Sequence, residues 1–140
     1  MMKNIGKIFI GLLAVTLCVA GCNKDKEKPE QTFEASDMVG KWVSGSEYYR
    51  YDNVYSEFVP ELKDTFIMVN GCTWDTADDV SEEEASPFVW TLSGTQLTHI
   101  HIMRMYGNAD PKAYTMTTLT ANTLAYKDNY GQIFSYTRVQ

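Results

Sequence analysis

The sequence predicts an all-β fold, an eight- to nine-stranded antiparallel up-and-down barrel, on three observations. From Val39 onward the chain is rich in Val, Ile, Thr, Tyr, Phe and Trp, residues that suit a pleated, half-buried surface. Helical periodicity is missing, and turn residues recur every eight to twelve positions. Most connections are short enough for strands to pair in sequence order, which favours a meander over crossovers.

A first strand is expected from Lys41 to Tyr51, with Gly45 as a bulge. Asp52-Asn53 then turns the chain into a weaker strand, Val54 to Val59, closed by Pro60. Asp64 to Val69 is expected to pair with Cys72 to Asp75 across Asn70-Gly71, a dipeptide suited to a tight hairpin. Pro87 to Leu92 and Gln96 to Met105 flank Ser93-Gly94-Thr95, and Lys112 to Leu119 and Thr123 to Lys127 flank Thr120-Ala121-Asn122. In both hairpins a leucine pair brackets the loop, Leu92 with Leu97 and Leu119 with Leu124. Gln132 to Val139 forms the last strand, after Asp128-Asn129-Tyr130-Gly131.

Ahead of the barrel the chain has two other parts. Lys3 and Lys7 precede an uncharged run, Ile8 to Gly21, that ends in Val19-Ala20-Gly21-Cys22. A positive start, an apolar middle and small residues at the cut make a secretory signal. The run is 14 residues long, short of the roughly 20 that cross a bilayer. Val19 to Cys22 resembles the lipobox of bacterial lipoproteins, which implies that residues 1–21 are removed and that Cys22 carries the lipid. Residues 22–36 then form a charged tether, and 37–140 the barrel domain. The alternating charges of Asn23 to Glu30 read either as a plain solvated spacer or, by resemblance, as the short charged signal that sends Bacteroidetes lipoproteins to the cell surface.

Composition narrows the functions. Lys3 and Lys7 lie in the signal, leaving ten basic against eighteen acidic residues and a net charge of −8. Such a surface repels a phosphate backbone, and no basic cluster interleaved with aromatics follows Lys28. It also disfavours adsorption to anionic lipid, so membrane attachment rests on the acyl chains alone. Cys18 leaves with the signal and Cys22 carries lipid, so Cys72 has no internal partner and reads as a small half-buried hydrophobe. No nucleophile elbow, Cys–His motif or phosphate loop is present; neither enzymatic activity nor a cofactor is expected.

Gly40-Lys41-Trp42 opens the first strand, and Arg138 stands near the end of the last. Between them run Phe88-Val89-Trp90-Thr91-Leu92, Gly94, Leu97, Tyr114 to Leu119, Leu124, Tyr126 and Ile133 to Arg138. This order resembles the lipocalin-like lipoproteins of Bacteroidetes. The resemblance implies a lipocalin-like barrel in which Gly40 and Trp42 open the first strand and Arg138 lies across the indole to seal one end. A guanidinium over an indole is worth about 0.5–2 kcal/mol. The chain departs from secreted lipocalins in having no disulfide, a shorter length and no visible C-terminal helix.

His99 and His101, the only histidines, project to one face of a strand at chelating distance. They read either as a metal pair or as polar ring-shaped filler beside Leu97, Met103 and Met105. Six carboxylates between Asp75 and Glu84 (Asp75, Asp78, Asp79, Glu82, Glu83, Glu84) invite a calcium reading, but no glycine occurs in that stretch, so a solvated acidic loop is favoured. Tyr48, Tyr49, Tyr51 and Tyr55 suit either sugar stacking or cross-strand packing. Candidate lumen and ligand residues are Phe88 or Val89, Trp90, His99, His101, Met103, Tyr114 and Met116, with the facing of each strand open. The leading expectation is a monomeric outer-membrane lipoprotein, periplasm-facing or cell-surface exposed, that binds a small apolar ligand in its barrel. The alternative is a non-enzymatic module with a filled barrel that docks to a protein partner. A metal-dependent enzyme using His99 and His101 ranks third.

Overall fold

A computed structural model describes residues 31–61, 64–103 and 108–140, with backbone alone over 108–110. The signal and lipid-bearing Cys22 expected from the sequence, the expected tether as far as Glu30 and the strand end expected at Met105 lie outside the described residues. Eight strands follow one another round a closed barrel. They are β1 (Gly40–Ser44), β2 (Glu47–Phe58), β3 (Ile67–Asp75), β4 (Ser86–Ser93), β5 (Gln96–Met103), β6 (Asn108–Leu119), β7 (Thr123–Lys127) and β8 (Ile133–Arg138). Each pairs antiparallel with the next, and β1 closes on β8 through Trp42 opposite Arg138 and Val43 opposite Thr137. Among the described residues the only helical pieces are 3-10 turns at Ala35–Met38, Thr76–Asp78 and Glu82–Glu84.

The second half follows its sequence pattern closely. Leu92 faces Leu97 at the mouth of the β4–β5 hairpin, and Leu119 faces Leu124 at that of β6–β7. The first half departs from expectation at three points. Gly45 is not a bulge: with φ +61° it lies in a turn that splits the expected first strand into β1 and β2. Asp52-Asn53 does not turn the chain round, because β2 continues to Phe58. Instead it bulges, since Tyr51 faces Gly71 while Ser56 faces Val69, five steps on β2 against two on β3.

Asn70-Gly71 makes no hairpin either, and sits inside the continuous strand β3. Local turn chemistry loses to packing here. A Cβ at Gly71 would come within 2.6 Å of the Phe88 ring and 3.0 Å of the Arg50 carbonyl oxygen, so the missing side chain makes room for a core ring. Asn70 is buried and acts as a strand in miniature. Its Oδ1 accepts from the Trp90 N–H at 2.9 Å and its Nδ2 donates to the Trp90 carbonyl at 3.1 Å. The Trp90 indole N–H donates in turn to the Asn70 carbonyl at 2.8 Å. β3 and β4 pair directly only from Gly71 to Thr73. The Asn70 side chain meets the next backbone groups of β4, which would otherwise be buried unpaired.

One end of the barrel is sealed. The Arg138 guanidinium carbon stands 4.2 Å from the Trp42 ring centroid. Its Nε donates to the Ala121 carbonyl (2.6 Å), Nη1 to that of Val39 (2.8 Å) and Nη2 to that of Asp37 (2.8 Å). Gly40, at φ +132°, leaves the space this needs, because a Cβ there would sit 2.5 Å from Nη1. The Trp42 indole N–H donates to the carbonyl of buried Met38 at 2.8 Å, which fastens the Ala35–Met38 turn across the opening. Arg138→Ala removes one cation–π contact and three charge-assisted bonds, and should lower stability by roughly 2–4 kcal/mol in urea unfolding. Arg138→Lys should rescue little of it, since an ammonium cannot span three divergent carbonyls.

Candidate functional site

The inward positions are those two apart on each strand: Tyr49 and Tyr51, Phe88 and Trp90, Leu97 and His99, Tyr114 and Met116, Leu124 and Tyr126, Phe134 and Tyr136. His99 is their centre. It is 0% exposed, and its ring lies 4.9 Å from Phe88, 5.2 Å from Tyr114, 5.6 Å from Tyr51, 5.7 Å from Tyr49 and 5.8 Å from Tyr126. Trp42, Tyr51, Phe88, Leu97 and Leu124 are likewise fully shielded. No water-sized void touches any of them, so at this level the lumen is occupied by side chains.

A string of polar atoms runs through this aromatic packing. The Tyr51 hydroxyl meets His99 Nε2 at 3.0 Å, and at the rim the Tyr136 hydroxyl donates to Glu47 Oε1 at 2.7 Å. The Tyr126 hydroxyl is hydrogen-bonded to those of Tyr51 and Tyr136. Burial raises the pKa of Tyr49, Tyr51, Tyr126 and Tyr136, so their hydroxyls stay protonated. His99 goes the other way. Burial first, then the nearby charges of His101 and Lys112, lower its pKa from 6.5 to about 3. Its Nδ1 is buried without a hydrogen-bond partner, which a neutral ring tolerates and an imidazolium does not.

Of the residues singled out from sequence, Trp90, His99, Tyr114 and Met116 come together in the lumen with Phe88, whereas Val89 does not join them. His101 stands beside Phe88 at 5.3 Å, half-buried. Met103 does not belong to the group: it ends β5 and is 49% exposed. The two histidine rings are 5.9 Å apart, and His99 Nε2 is engaged by Tyr51. Among the described residues no three His, Cys, Asp or Glu side chains gather as a metal would require. A base that holds its proton only below about pH 3 and is sealed from solvent is also poorly matched to proton transfer near neutrality. Sequence reasoning named Tyr49 and Tyr51 only as an edge and did not place Tyr126 and Tyr136. Their spacing of two from Leu124 and Phe134 is the signal that groups them.

Among the described residues three clefts border this packing, two of them walled in part by its own members Trp90, Tyr114 and Phe134. One of about 390 Å³ opens at the sealed end, between Ala35, Val39, Asp52, Asn53, Asn70 and Trp90 to Leu92. A second, about 380 Å³, lies at the opposite rim between Pro111 to Tyr114, Asp128 to Tyr130 and Phe134. A third of about 230 Å³ lies near Glu47, Trp74, Asp75 and Asp78. The acidic loop folds over the outer wall. Glu82 accepts from Lys41 at 2.6 Å and from Arg50 at 2.8 Å, and the Lys41 bond leads in holding its pKa below the usual carboxylate range. Asp75 accepts from the Ala77 N–H and so caps the turn Thr76–Asp78. Cys72 is buried, and burial pushes its thiol pKa up.

No family model, curated protein or solved structure matches this chain.

The pKa of His99 makes stability depend on pH. Between pH 6.5 and about 3 the unfolded chain binds a proton that the folded barrel refuses. The stabilisation is therefore complete above pH 6.5 and is lost as pH falls, by about 1.4 kcal/mol per unit. Urea unfolding at pH 6.5 and pH 5, where most carboxylates remain ionised, should show this slope in the native chain. In His99→Phe the His99 contribution to the slope should vanish.

Proposed function

We propose that this chain is a lipid-anchored, non-enzymatic binding module of the bacterial envelope, attached through Cys22 and acting through its outer surface. The packed lumen carries this reading. With His99, Tyr51 and Phe88 fully shielded, a small apolar guest could enter only by expelling core rings, each of which contributes about 1.5–3 kcal/mol of burial. The barrel then serves as a scaffold that holds its rim loops. The loop 128–132 is built for presentation: Asp128 Oδ1 accepts from the N–H groups of Tyr130 and Gln132, both at 2.9 Å. That fixed turn holds Tyr130 96% exposed, and a pre-ordered aromatic side chain binds with little entropy loss.

Two measurements test the proposal. Titration of the barrel domain with 1-aminoanthracene and with palmitate should give no saturable quenching of tryptophan fluorescence. Saturable quenching would restore the small-ligand reading, with the 390 Å³ cleft beside Trp90 as its place. A photo-crosslinking side chain at Tyr130 should give one discrete protein adduct in native envelopes, absent when the same group replaces Thr115 on the barrel wall. Absence of an adduct at Tyr130 rejects the rim as the binding surface.

A further inference from the structure

Large apolar side chains are left exposed together at the sealed end. Val54 (66%), Val59 (59%) and Phe66 (57%), with Tyr55 and Met68, belong to β2, β3 and the connection between them. Glu57 faces Met68 and Phe58 faces Ile67, so the two strands form a paired ribbon. β4 does not extend the sheet beside it, because direct β3–β4 pairing stops at Gly71. An apolar ribbon of this kind marks an interaction surface.

The chain's entry point says what covers it. The Phe33 N–H donates to the Gly94 carbonyl at 3.1 Å, which fixes the start of the domain to the β4–β5 turn at the sealed end. β3 begins and β4 ends at that same end, and the cleft lined by Ala35, Ser36, Asp52 and Asn53 joins the entry turn to the base of the ribbon. Phe33 lies eleven residues after Cys22, a reach of at most roughly 40 Å. The apolar run Ile8 to Gly21 lies immediately before. Whether acyl chains on Cys22 or that run hold the membrane, the bilayer begins within this reach of Phe33, at the end of the barrel from which the ribbon extends. A second copy is a poorer occupant, because residues 57–64 carry Glu57, Glu61 and Asp64 against Lys63 alone and a symmetric contact would set those acids against themselves.

We infer that the β2–β3 ribbon docks on the bilayer that anchors the chain, inserting Val59, Phe66 and Met68 among the headgroups and acyl ends while the rim loops face away. This rests on the anchoring reading above. The acidic flank selects the lipid. Docking is strongest on zwitterionic surfaces and weakens as anionic lipid is added, the reverse of a basic amphipathic anchor.

The test uses the full chain with its native anchor, reconstituted into phosphatidylcholine vesicles with and without acyl-brominated lipid. Flotation reports anchoring, and quenching of F66W fluorescence above that of the parent chain reports docking. Expected are co-flotation, a loss of F66W signal in brominated vesicles, no extra loss for Y130W at the opposite rim, and a smaller loss when phosphatidylglycerol is included. Val59→Glu with Met68→Glu should abolish the F66W quenching and leave flotation unchanged. A chain that does not float overturns the anchor and the docking with it. A chain that floats with F66W unquenched overturns the docking alone and assigns the ribbon to a protein partner.

Discussion

The barrel depends on the meeting of Arg138 with Trp42. Closing a sheet removes its edges, but a closed sheet of eight strands still has two ends, and each exposes the interior to water. Here one side chain of β8 joins three other parts of the chain at one end: the β1 indole, the Ala35–Met38 turn and its C-cap through Asp37 and Val39, and the β6–β7 turn through Ala121. Most of this contact is to carbonyl oxygens rather than carboxylates. The charge is therefore spread over backbone dipoles, and no counter-ion has to be buried.

With one end sealed, the contents of the lumen decide what the barrel can do. An eight-stranded barrel is wide enough to be filled by side chains or to hold one small guest. This sequence fills it with rings, and rings carry a constraint that aliphatic chains do not. Each tyrosine hydroxyl inside needs a partner. The string from His99 through Tyr51, Tyr126 and Tyr136 to Glu47 meets that need and ends at the rim, where the last hydroxyl reaches a carboxylate. His99 Nδ1 is the point where the supply of partners runs out. A core satisfied in this way is rigid, which suits a scaffold better than an adaptable pocket.

The sequence made some of this legible and hid the rest for physical reasons. Strand identity and order in the second half could be read because the two leucine-bracketed hairpins agree with their own turns, so local and tertiary preferences point the same way. Asn70-Gly71 misled because its turn preference is real but outweighed. Gly71 is needed as an absence, to admit Phe88, and Asn70 as a substitute for strand pairing. Neither role leaves a mark in the dipeptide itself. The lumen was half legible: Trp90, His99, Tyr114 and Met116 were singled out, but the facing of each strand waits on register, which the Tyr51–Ser56 bulge shifts. Glu82 shows the same limit. In sequence it is one acid among six, and only the fold sets it between Lys41 and Arg50.

The irregularities of the first half have a common origin. Where Asn70 replaces direct pairing, β3 is released from β4 and can continue beyond the wall only with β2 as its companion. The bulge in β2 at the same level supplies the extra residues that let the pair change direction. A sheet that has to present an apolar ribbon at its sealed end must give up ladder bonds somewhere, and leaving them unpaired inside would be costly. One asparagine meets that cost at the point of departure, where its amide satisfies both the donor and the acceptor of Trp90. The interrupted ladder, the cleft and the base of the exposed ribbon therefore meet at a single local exchange of backbone for side-chain hydrogen bonds.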